Sequence, residues 1–167
     1  MKKFTLAHLI KQNSSPTFTL EDPLTLVSQE DNAVVALYIL DYTPGVQYKL
    51  FSNGTTITEG WSTYTSGTTF ELNKGDYIQF LGSNTWNGNF YLPYGKIEAH
   101  GNILSLYSYD YIKHYSFFRG EAMGLFANCS GLVKIPSLKH ITTLSIESCK
   151  NMFFNCNRLN KNNRITR

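Results

Sequence analysis

Leu125-Phe-Ala-Asn-Cys-Ser-Gly-Leu-Val-Lys134 returns as Met152-Phe-Phe-Asn-Cys-Asn-Arg-Leu-Asn-Lys161, 27 residues further along the chain. Five of the ten positions are identical, pairing Phe126 with Phe153, Asn128 with Asn155, Cys129 with Cys156, Leu132 with Leu159 and Lys134 with Lys161. A fixed period in the twenties marks a solenoid, in which each copy adds one strand and one helical or irregular return segment. Stacking one strand per copy sets equivalent residues about 4.8 Å apart. The expectation is a structural ladder of Phe126, Asn128, Cys129 and Leu132 under Phe153, Asn155, Cys156 and Leu159, with the Cys and Asn pairs inside.

Working outward from the repeat, the 167 residues suffice for one domain or two small ones with a real core. The eleven Tyr and eleven Phe favour strands over helices. Charge is unevenly placed. Residues 1–110 hold six Lys/Arg against ten Asp/Glu, and residues 111–167 hold nine against two. A basic end can serve nucleic acid or an anionic surface. These cations stand singly, with no recognised nucleic-acid-binding motif beside them, so nucleic-acid binding is not expected.

Three cysteines leave at least one unpaired, which argues against a disulfide framework. His8, His100, His114 and His140 are scattered and no paired CxxC or HExxH occurs, so neither a metal site nor a cofactor is expected. The carboxylate pairs Glu21-Asp22 and Glu30-Asp31 fall in turn-like segments. Adjacent side chains on an extended chain point to opposite faces, so neither pair makes a general acid/base couple.

The first sixteen residues read as an N-terminal arm and linker: Phe4 to Ile10 is apolar but broken by His8, with no small-residue cleavage site after it. No stretch approaches the roughly 18–20 apolar residues of a membrane span. Residues 17–93 alternate in short strands. Asn32 to Leu40 is an aliphatic run, and Val46 to Phe51 meets Asn53-Gly54, a hairpin turn that needs positive φ at both positions. Thr55 to Trp61 would return, and Thr68 to Leu72 with Tyr77 to Leu81 reads as a second hairpin across Asn73-Lys-Gly-Asp76. Evenly spaced short strands suggest an immunoglobulin-like β-sandwich. Residues 94–167 would hold a junction with Ile103, Leu104 and Leu106 as core, a short helix over 120–128, a strand at Leu132-Val-Lys-Ile135, a return over 141–154, and a polar tail.

Exposed aromatics can stack on a sugar ring while amides bond its rim, although most aromatics serve as buried packing. Trp86, in the polar run Ser83–Asn89, with Asn87, Tyr91 and Tyr94, forms the candidate ligand or partner contact, a surface glycan being the possible ligand.

The pattern Leu125-Phe126-Ala127-Asn128-Cys129-Ser130-Gly131-Leu132, then Ile135-Pro136, Thr142-Thr143-Leu144, Cys149 and Met152-Phe153-Phe154-Asn155-Cys156-Asn157-Arg158-Leu159, resembles BspA-like leucine-rich repeats. Gly95 to Leu106 is similar to the junction that introduces such repeats, and Gly75-Asp76-Tyr77-Ile78-Gln79-Phe80 to a strand of the sandwich before it. The resemblance implies a mainly β chain, a sandwich followed by a short leucine-rich-repeat solenoid, with adhesion or binding and no shared catalytic set. Such repeats occur in surface proteins of gut Bacteroidetes, and similar chains occur in virions of their phages. The expectation is a non-enzymatic virion component of fibre or decoration type, contacting copies of itself or other virion or surface proteins. The alternative is a bacterial cell-surface adhesin or glycan-binding module.

Overall fold

A computed structural model describes residues 16–39, 45–82, 88–113, 115–117 and 121–159. Most of the N-terminal arm, Trp86 and Asn87, and the tail from residue 160 lie outside the described residues.

The protein is mainly β, with strands in several sheets arranged as a sandwich. Strands β1 (Leu24–Ser28), β3 (Gln47–Ser52), β4 (Thr55–Thr56), β5 (Ser62–Thr63), β7 (Tyr77–Leu81), β9 (Ile97–His100) and β11 (Leu132–Lys134) form the larger sheet. Facing it is a smaller sheet of β2 (Ala33–Ile39) between β6 (Thr69–Leu72) and β8 (Gly88–Tyr91). A two-stranded sheet pairs β10 (Ser116–Phe117) with β12 (Thr143–Leu144).

Alternation decides which residues meet between the sheets. Leu24 and Leu26 of β1, Ile78 and Phe80 of β7, and Val35 and Leu37 of β2 are all fully buried. β1 is covered on both sides, because Phe18 lies over the outer face, 5.2 Å from the Tyr77 ring and 5.4 Å from His100. Asn53-Gly54 forms the expected tight turn, with φ of 48° and 75°, and joins β3 to β4. Its return strand is shorter than the sequence suggests, since only Thr55–Thr56 and Ser62–Thr63 pair with β3.

Two expectations are corrected. Thr68–Leu72 and Tyr77–Leu81 are not a hairpin: β6 pairs with β2 and β7 with β1 and β3, so Asn73–Asp76 carries the chain between sheets. The turn is held by Asp76, 6% exposed, whose carboxylate accepts from the Asn73 amide (2.9 Å), the Ser52 hydroxyl (2.8 Å) and the Asn53 amide (3.3 Å). The turn also docks onto β1, through Gly75 N–H to the Ser28 carbonyl and Ser28 N–H to the Asp76 carbonyl, both 2.9 Å. Those bonds hold it at the end of β1 instead of letting it close a hairpin.

The second correction is the helix expected over 120–128, whose described part is a succession of turns. Ala122, Gly124 and Asn128 take φ of 57°, 63° and 62°, and a right-handed helix cannot continue through left-handed residues. The return over 141–154 is likewise irregular, carrying β12 and then turns.

The larger sheet runs across position 93/94, since β9 pairs antiparallel with β1 and β11 pairs parallel with β9. One buried cluster extends from Leu24 through Ile103, Leu104 and Leu106 to Cys156. Ile103–Leu106 is a 3-10 turn, capped by the Asn102 side chain accepting from Leu104 N–H at 3.0 Å. Ser105 ties it to both neighbouring strands, donating to the Phe80 carbonyl (2.9 Å) and accepting from Leu24 N–H (2.8 Å). Gly131 sits where a Cβ would come within 2.9 Å of the Leu92 carbonyl oxygen, so only glycine lets the later segment approach the sandwich this closely.

Candidate functional site

The 27-residue period is visible in the backbone. Residues 122, 124 and 128 have positive φ, and so do 149, 151 and 155, each 27 further on. β10 and β12 pair in parallel with the same offset, Ser116 with Thr143 and Phe117 with Leu144. Three side-chain ladders follow. Phe90, Phe126 and Phe153 stack with centroids 5.0 and 5.7 Å apart and planes within 15° and 12° of parallel, inside the usual range for offset-stacked rings. Cys129 Sγ lies 3.2 Å from the Phe90 carbonyl oxygen, and Cys156 Sγ lies 2.9 Å from that of Phe126. Asn155 Nδ2 donates to Asn128 Oδ1 at 3.0 Å.

The Asn pair stacks as expected but at the surface, where both residues are exposed. Asparagine tolerates the left-handed backbone that positions 128 and 155 require, and such a corner points the side chain outward. Leu132 is fully buried and Leu159 half-buried. All three cysteines are free; Cys129 and Cys156 are buried and Cys149 is half-buried. Burial, with Cys156 nearby, pushes the Cys129 thiol up to about 12. Burial and the Glu121 carboxylate push Cys149 up to about 11, and burial raises Cys156. Thiols held this far above neutrality are poor nucleophiles. Among the described residues no cluster of three metal-ligating side chains exists.

The second region is the outer face of the smaller sheet. Register sets Ala36 opposite both Tyr91 and Thr69, Tyr38 opposite Asn89, and Val34 opposite Glu71. Tyr38 and Tyr91 meet edge to face with centroids 6.0 Å apart, and both are over two-fifths exposed. Tyr94 is 67% exposed, and its carbonyl accepts from Val34 N–H at 3.2 Å beside the same strand. Of the four residues singled out in the sequence, Tyr91 lies on this face and Tyr94 is exposed three residues beyond the end of β8, while Trp86 and Asn87 lie outside the described residues.

Tyr38 was missed by sequence reading. The signal was available in β2, where residues 34, 36 and 38 alternate away from Val35 and Leu37. Among the described residues no helix is long and apolar enough to cross a membrane. Comparison with known proteins returns no matching family model, no matching characterised protein and no matching solved structure.

Proposed function

We propose that the chain is a non-enzymatic structural and binding module of the BspA-like leucine-rich-repeat kind, carried on an immunoglobulin-like sandwich and built into the virion of a phage of gut bacteria. The single observation that carries this reading is the stacked 27-residue unit seated on the sandwich through the Phe90–Phe126–Phe153 column. Such a stack is a scaffold that presents surface without needing a reactive group. The β2–β6 and β3–β7 pairings parallel the B–E and C–F pairs of an immunoglobulin sandwich and support that part of the reading. A fibre or decoration role accords with the exposed apolar side chains Leu144, Ile146 and Phe154 at the repeat end, which a subunit contact would cover. The test is to band phage particles from an infected culture and probe them with antibody to this chain. Particles that lack it while the cell envelope contains it would overturn the virion assignment.

One observation favours a second reading, a cell-surface adhesin or glycan-binding module. The exposed Tyr38 and Tyr91, with Asn89 on the same face, offer ring faces and an amide to a pyranose. Titration of the chain with host surface polysaccharide checks it: binding lost in Tyr91→Ala supports the glycan reading, and absence of binding removes it.

A further inference from the structure

The outer face of the larger sheet carries a slot. β1 runs along its floor with two short outward side chains, Thr25 and Val27, while Leu24 and Leu26 point into the core. Longer groups flank them: Tyr77 of β7 lies opposite Val27, and His100 of β9 lies opposite Thr25. Both walls are braced. Phe51 stacks flat on Tyr77 with centroids 4.4 Å apart. Glu98 holds the His100 ring at 2.9 Å, and the same carboxylate oxygen lies 3.6 Å from the Lys134 ammonium. The Thr25 hydroxyl donates to the Pro23 carbonyl at 2.8 Å and accepts from the Gln79 amide at 3.3 Å, so its proton is not free for a ligand.

Phe18 fills this slot, its ring 5.2 Å from Tyr77 and 5.4 Å from His100, and Thr25, Val27 and Tyr77 are all buried with it there. The ring carries the attachment: among the described residues Pro16, Thr17 and Phe18 make no hydrogen bond. The chain then turns on bonds that it makes to itself. The Asp22 carboxylate accepts from the Thr19 N–H at 2.7 Å and the Thr19 hydroxyl at 3.2 Å, and Asp22 N–H donates to the Thr19 carbonyl at 3.3 Å. Ties to the rest of the molecule begin after Thr19. Asn102 donates to the Leu20 carbonyl from its side chain (3.2 Å) and to the Asp22 carbonyl from its backbone (2.9 Å), and the Tyr111 hydroxyl donates to the Glu21 carbonyl at 2.6 Å.

We infer that Phe18 and this slot form an exchangeable latch, in which the Phe18 segment of a second copy of this chain takes the slot and gives up its own in return. The occupant is read from the molecule itself, because the ring that fits is one that every copy carries, and a twofold pair fills both slots at once. Swinging the segment out at Thr19 breaks the three bonds of the turn and keeps those of Leu20, Glu21 and Asp22 with Asn102 and Tyr111. An empty slot would expose Val27 and the Tyr77 ring to water, which favours refilling it. A short tether holds its own ring at an effective concentration on the order of millimolar, so exchange takes over where copies are packed together at that level.

The test uses the full chain. Phe18→Ala empties the slot without touching the core, and a synthetic peptide of residues 16–22 is titrated against it while NMR follows the His100 and Tyr77 ring protons. The peptide should restore the shifts of the parent saturably, and the same peptide with Phe18→Ala should not. The parent, whose slot is filled, should bind the peptide at least about tenfold more weakly. Sedimentation supplies the second arm. Asp22→Ala removes the carboxylate that closes the turn, so it should raise the dimerisation constant about a hundredfold, roughly tenfold for each of the two turns opened. Adding Phe18→Ala should abolish that gain, with circular dichroism confirming that each variant is folded. A folded Phe18→Ala chain whose slot ignores the peptide overturns the inference. So does an Asp22→Ala chain no more prone to dimerise than the parent, and so does a gain in dimer that survives Phe18→Ala.

Discussion

Phe126 is the middle ring of the column, and replacing it with alanine tests whether the repeat is held by that column. The side chain is fully buried and has a stacked ring on each side, Phe90 at 5.0 Å and Phe153 at 5.7 Å. Truncating a core phenylalanine costs about 3–5 kcal/mol in lost transfer energy and cavity. Each ring pair contributes about 0.5–1.5 kcal/mol beyond area, and Phe126→Ala removes two. Phe153→Ala removes one pair from a half-buried position, so its cost should be about half as large. For a chain of this size 1 kcal/mol moves the melting temperature by about 2–4 °C, which puts Phe126→Ala about 10–15 °C below the parent and Phe153→Ala about 4–7 °C below. Urea titration of both variants and of the double mutant is the assay, with circular dichroism as the probe and Phe126→Leu in reserve should the alanine variant not fold. A loss under about 2 kcal/mol for Phe126→Ala would refute the reasoning. Equal losses at the two positions would refute it as well, because the column would then have no middle.

Asp76→Ala should cost about 2–3 kcal/mol, since it strips a buried carboxylate from two amides and a hydroxyl; a loss below 1 kcal/mol in urea titration would deny the turn its anchor. Native thiol labelling at pH 8 should be slow for Cys129 and Cys156, with Cys149 first, because burial raises all three thiols; fast labelling of two or more would contradict the ladder, as would a Cys129→Ala loss far from about 1–2 kcal/mol. Burial lowers His140, whose ring nitrogens are buried without hydrogen-bond partners, and it also lowers His100, though Glu98 opposes the shift there. The unfolded chain then binds more protons, so this contribution is complete above about pH 6.5 and is lost as pH falls from there toward the lowered folded values. His140→Gln should flatten the fall in stability between pH 7 and pH 5, and an unchanged slope would exclude His140 as its source.

The strands were legible because alternation and turn chemistry are local. Ala33–Ile39 and Gln47–Ser52 fall where the aliphatic runs do, and Asn53-Gly54 makes its own turn. The pairing of β6 and β7 was not legible. Asn73-Lys-Gly-Asp76 suits a hairpin equally well, and its bonds to Ser28, Ser52 and Asn53 come from distant segments. Likewise the sequence placed Tyr91 in a candidate contact but could not add Tyr38, which meets it only through the β2–β8 register.

The repeat shows how a period can be clear while its conformation stays hidden. Five identities at a 27-residue offset locate the ladder, yet they do not exclude the short helix inferred over 120–128. The contrary signal lies in the less conspicuous positions, Gly124 and Asn151, Asn128 and Asn155. These four are the residue types that positive φ favours, whereas Ala122 and Cys149 give no such signal, and all recur at the same offset. A helix would have spent every amide on its own carbonyls. The alternating turns spend only half, and the other half is what binds one coil to the next. The same residues that forbid the helix therefore free the lateral donors of Gly124, Phe126 and Asn128 that hold the two coils together.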